Sequence, residues 1–207
     1  AETVETNQRT ATSSEQQELQ KKKDEAVKIP KTPEAWKEAV ERIQEEDCQF
    51  KNAKILTNET SAIVFRRLGD KNVLPHVHVM LAFLSNFASS TYVSDLIADA
   101  PWAELVAFLN TLIKTETRHS QLENKKQDID TLLATDVFPR EGERDDELPL
   151  PEDYHIRGQI WAQHFPEKWF EREHDEEERY LELASTAKNR VERILRLAFS
   201  LTKVSLF

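Results

Sequence analysis

Glycine is nearly absent from this chain. Only Gly69, Gly142 and Gly158 occur in 207 residues. Loops that cradle phosphate need several glycines so that the backbone can approach the anion. Neither a GxGxxG nor a GxxxxGK[ST] motif is present, which removes P-loop nucleotide hydrolysis and the dinucleotide-binding fold. Asn-Gly hairpin turns are missing too, so an all-β fold is not expected. The single cysteine, Cys48, forbids an internal disulfide framework and a four-thiolate zinc site, and a reducing compartment is the expectation. No run of about 18 uncharged apolar residues exists, so no membrane span is expected. The N-terminal stretch AETVETNQRTATSSEQQELQKKK lacks the apolar core of a secretory signal.

Charge is what the chain has in excess. Charged residues make up 32% and the formal net charge is -10. That balance opposes nucleic-acid binding over the whole surface, because phosphate affinity needs clustered Lys and Arg. It leaves room for one local basic patch. With 39% hydrophobic residues, a core is expected over part of the chain, with the remainder as arm, connection or solvated helix. Residues 1–30 read as a polar arm or solvated helix, and 31–207 as one helical domain.

Helical periodicity dominates the rest. Thr32-Pro33 opens a helix with a narrow apolar stripe at Trp36, Val40 and Ile43. The stretch 57–68 (TNETSAIVFRRL) fits either a short strand or a buried helical turn. NVLPHVHVMLAFLSNF (72–87) is apolar on nearly every side, so it reads as a central helix, with Pro75 tolerated only in its first turn. Pro101 opens a clear amphipathic helix in which Trp102, Leu105, Val106, Leu109, Leu112 and Ile113 match the i, i+3, i+4, i+7 template. Residues 115–150 read as a polar, acidic connection. A further helix is expected from about Glu152 to Phe165, with Gly158 marking a close helix approach and Pro166 ending it. Ser185 caps a last helix, whose buried stripe is Val191, Ile194, Leu195, Ala198 and Leu201. The expected fold is all-α: an irregular, repeat-like antiparallel array of helices with an acidic loop.

Candidate chemistry is sparse. His76 and His78 lie about 200° apart on a helix, so they do not ligate one metal from a single face and read as structural histidines. Glu116…His119 and Glu171…His174 have half of a di-iron carboxylate spacing, but sit in solvent-like segments. Asp128 and Asp130 lack the glycine and the twelfth-position Glu of a calcium loop. No metal, cofactor or catalytic residue is expected. The last helix carries Lys188, Arg190, Arg193 and Arg196. With Arg157 these form the one candidate phosphate-contacting patch, although the same residues also fit the solvated side of an amphipathic helix.

NVLPHVHVMLAFL, PWAELVAFLNTL, LPEDYHIRGQIWAQHFPEKWF, DEEERYLELAS and RVERILRLA resemble, in order over residues 72–203, the signature blocks of fungal Est-type proteins. These are the relatives of the telomerase-recruitment protein Ever Shorter Telomeres and of the SMG adaptors of nonsense-mediated mRNA decay. The resemblance implies an all-α DNA/RNA-binding domain, protein partners from RNA surveillance or telomerase, and a nuclear or cytoplasmic location. The family's phosphopeptide-binding module and its PIN nuclease domain have no counterpart in these residues. The expectation is therefore a non-enzymatic helical adaptor acting through protein contacts, with an RNA- or single-stranded-DNA-binding module as the alternative.

Overall fold

A computed structural model describes residues 30, 32–88, 97–122, 135–140, 143–144, 147–159, 161–162, 165–171 and 184–203, the side chains of 117–122 and 184 excepted. Six α-helices occur among them, with no strand: α1 (Pro33–Glu46), α2 (Cys48–Phe65), α3 (Leu74–Ala88), α4 (Trp102–Leu122), α5 (Pro151–Ile156) and α6 (Ala184–Lys203). The all-α class is as the periodicity requires. The acidic run 172–183, Asp128, Asp130, His174 and the side chain of His119 lie outside what is described.

Thr32 caps α1 with its hydroxyl oxygen, which accepts from the Ala35 N–H, and Pro33 occupies the first turn. Asp47 is the only residue between α1 and α2. Its carboxylate accepts from the N–H groups of Gln49 and Phe50 at 2.9 and 3.1 Å. This cap starts a helix that runs through 57–65, so the ambiguous stretch is helix. Lys54 of α2 reaches back to Gln44 of α1 at 3.3 Å, closing a helical hairpin. Gly69, with φ +79, turns the chain into a short 3₁₀ turn (Lys71–Val73) that leads directly into α3.

Pro75 lies at the second position of α3, where a missing N–H costs little. The all-round apolar pattern has its expected consequence: Leu74, Val77, Leu81, Ala82 and Leu84 are buried, and Val79, Met80, Phe83 and Phe87 pack partly against the same core. The principal partner of α3 is α6, which contributes Val191, Ile194, Leu195, Leu197 and Leu201. Leu74 and Val191 line one small cavity, and the Ser85 and Ser200 hydroxyls are 3.4 Å apart. Both helices therefore run in the same direction. This corrects the antiparallel expectation for the central pair, and the roughly hundred residues between them make a parallel return feasible.

Two expected helical features differ. Val106 is 52% exposed, while Phe108 is buried in its place with Leu105. The helix expected over 152–165 stops at Ile156. Arg157 leaves the helical region and Gly158 adopts φ +82, a helix-ending conformation suited to glycine. A Cβ at Gly158 would meet nothing within 4 Å, so the residue marks a chain reversal and not a close helix approach.

Candidate functional site: an arginine–carboxylate lattice

The amphipathic face of α6 brings Arg190, Arg193 and Arg196 inward with the apolar stripe, 2%, 0% and 6% exposed. Bare burial of such charges costs several kcal/mol each, so each must meet an anion and hydrogen bonds. Most of the anions come from 147–153, where the expected acidic connection ends at 150 and a helix begins near Glu152. Arg190 grips Glu152 with two parallel bonds, Nε to Oε1 at 2.6 Å and Nη2 to Oε2 at 2.9 Å. Arg193 spans two carboxylates, with Nη2 at 2.6 Å from Glu147 Oε1 and Nη1 at 3.1 Å from Asp153 Oδ2. Arg196 donates to Glu192 at 2.9 Å and to the Thr135 hydroxyl at 3.1 Å, with Glu147 Oε2 at 3.5 Å. Arg144, with φ 46, adds a further pair to Glu147 at 3.0 Å. Four guanidiniums thus face the four carboxylates of Glu147, Glu152, Asp153 and Glu192.

The short α5 is the hinge of this arrangement. Pro151 starts it, and Asp153 Oδ2 accepts from the Leu150 N–H at 2.9 Å, which closes the first turn. The same oxygen accepts from Trp169 Nε1 at 3.3 Å. Trp169 is 1% exposed. The left-handed Lys168 (φ 61) precedes it, and the Trp169 N–H donates to the Pro166 carbonyl at 3.1 Å. The Arg193 guanidinium lies 4.7 Å from the Phe138 ring centre and 4.9 Å from that of Trp169, so aromatic faces cover the charge that the carboxylates do not.

His78 ties α3 into the lattice. Its Nδ1 is 3.0 Å from Glu152 Oε1, and its Nε2 is 4.0 Å from Asp153 Oδ1. Because a carboxylate only accepts, Nδ1 carries the proton it donates. His76 is half-buried and burial lowers its pKa. The pair thus diverges, as the 200° separation requires, and only His78 enters the polar network.

Burial pushes the Glu152 carboxyl up, but the hydrogen bonds from His78 and Arg190, with their charges, outweigh it and bring it down to about 2. A carboxylate depressed in the folded state contributes stability that is whole above its unfolded value of 4.5 and is lost as pH falls toward the folded value. Urea unfolding at a series of pH values is expected to show about 2–3 kcal/mol of extra loss between pH 4.5 and 2. Glu152→Gln flattens that acid slope while lowering stability at neutral pH. An unchanged slope in the variant contradicts the assignment.

The structure therefore divides the five residues of the candidate basic patch. Arg190, Arg193 and Arg196 are internal and paired. Lys188 is exposed, 3.8 Å from Glu192, and Arg157 is exposed with its guanidinium over Phe170 at 4.8 Å. A continuous cationic face of α6 does not form, because the guanidiniums follow the apolar stripe into the interior. Glu147, Glu152 and Asp153 escaped the sequence reading. Their available signal was the proline that starts a helix immediately before two acids. Among the described residues no group of three or more His, Cys, Asp or Glu is placed to hold a metal, and no helix is long and apolar enough to cross a membrane. No family model, curated protein or solved structure matches the chain. Among the described residues, fold and lattice together define an all-α arrangement with an internal arginine–carboxylate cluster.

Proposed function

We propose that the chain is a non-enzymatic helical adaptor that works through protein contacts, in nonsense-mediated mRNA decay or telomere maintenance as the Est/SMG resemblance implies. The observation that carries this reading is the distribution of side chains. Three of the five candidate phosphate-contacting cations, Arg190, Arg193 and Arg196, are held in internal pairs, while large apolar side chains stand open on the α1–α2 hairpin. Ile43, Ile55, Leu56 and Ile63 are 46–69% exposed. Leu56 and Ile63 are seven residues apart and share one face of α2. Single exposed apolar residues are ordinary, but several on one hairpin favour a protein-contact surface.

Capture of partners by the full chain from extract, with and without nuclease, tests the reading. Nuclease-resistant capture that is lost in Leu56→Glu/Ile63→Glu, with thermal unfolding unchanged, is the expected result. The nucleic-acid alternative retains Lys188 and Arg157 as its exposed cations. A labelled single-stranded RNA that binds at low salt, weakens steeply as salt rises and fails to bind Lys188→Glu/Arg157→Glu overturns the adaptor reading.

A further inference from the structure

An open cleft of about 440 Å³ lies between the α1–α2 hairpin and the turn that precedes α4, within the size range of ligand sites. Lys51, Lys54 and Asn58 of α2 line it at i, i+3 and i+7, which places them on one helical face. Gln44 of α1 and Asp99 of the turn complete the polar wall, and the half-exposed Ile55 supplies an apolar one. Only 15% of the Lys54 side chain is exposed, and its ammonium is fixed by Asp99 Oδ2 at 2.7 Å and Gln44 Oε1 at 3.3 Å. Lys51 is exposed, and its ammonium has no partner among the described residues.

Asp99 shows which group this cleft accepts. Its own side chain is 71% exposed, and an ion pair with one partner so open to water is weak. An incoming carboxylate replaces it at Lys54 at little cost, since Asp99 rehydrates. The newcomer gains Lys51 as a second cation. It also gains the second N–H of the Asn58 amide, whose first is given to the Asp99 carbonyl at 3.0 Å. Glu59 at the rim and Asp99 itself oppose a dianion, which disfavours phosphate. Ile55 beside the lysines suits an apolar side chain adjoining the carboxylate.

We propose that this cleft binds the free C-terminal carboxylate of a partner peptide whose last residue is apolar. The proposal rests on the adaptor reading and specifies one of its contacts. The probes are the peptide acetyl-Ser-Ala-Ala-Leu, its C-terminal amide, and inorganic phosphate, each titrated into the ¹⁵N-labelled full chain. The free acid is expected to shift the backbone amide signals of Lys51, Lys54, Ile55 and Asn58 saturably. The amide is expected to bind at least about tenfold more weakly, and Lys51→Met and Lys54→Met each to weaken the acid about tenfold, or about 1.4 kcal/mol. Unchanged thermal unfolding of Lys51→Met shows that its loss of binding is local. The proposal is overturned if the free acid gives no shifts at millimolar concentration, if acid and amide bind alike, or if phosphate binds more tightly than the acid. Missing cleft shifts with nuclease-resistant capture intact sink the cleft alone. Cleft shifts with capture absent sink the adaptor reading and leave the cleft as a peptide site.

Discussion

Arg193→Met is expected to lower the unfolding free energy by about 3–5 kcal/mol, the cost of breaking a buried ion pair from one side. Arg193 is 0% exposed, and its guanidinium joins Glu147 to Asp153. Removing it takes the guanidinium from the fully buried Asp153 carboxylate and leaves Glu147 to Arg144 and the more distant Arg196. For a chain of this length each kcal/mol corresponds to about 2–4 °C, so the melting temperature falls by about 10 °C. Arg193→Lys keeps the charge but loses the planar fork that spans both carboxylates, and an intermediate loss of about 2 kcal/mol is expected. Thermal and urea unfolding measured together give both values. A loss under about 0.5 kcal/mol in Arg193→Met shows that the lattice does not hold the fold.

Trp169→Ala is the second large effect, expected at about 3–5 kcal/mol for a fully buried Trp. Three interactions leave together. These are the hydrogen bond to Asp153, the ring face under Arg193, and the edge contact with Phe138, whose ring centre is 5.4 Å away. Trp169→Phe retains a ring and removes the N–H, so about 2 kcal/mol is expected from a lost bond to a charged acceptor. Because Trp169 and Arg193 touch the same carboxylate, the double variant is expected to lose less than the sum of the singles. Additive losses mean that the two side chains act independently.

The two central helices were legible because their signal is local. In α3 the apolar residues occupy every side, and that alone demands neighbours on several faces. In α6 the stripe from Val191 to Leu201 is regular. The direction in which α3 and α6 pair was not legible, since nothing local records it. The arginines were misread for a similar reason. Three cations beside an apolar stripe look the same whether they face water or buried acids, and here the acids lie 38 to 49 residues away in sequence. The overlong reading of 152–165 arose from counting Ile160, Trp161 and Phe165 as helical spacing and placing Gly158 inside the helix, where its left-handed φ forbids it. The extent of α2 turned on Asp47, a cap identified only once its carboxylate is seen to accept from two N–H groups.

The parallel pairing of α3 with α6 has a consequence for biosynthesis. The greasiest helix is complete at Ala88, yet its main cover is complete only at Lys203. At about 5–20 residues per second of translation, the nascent chain holds that surface without its final partner for on the order of 10 s. Its vulnerable interval is set by the ribosome, which makes the half-made chain a natural client of holdase chaperones.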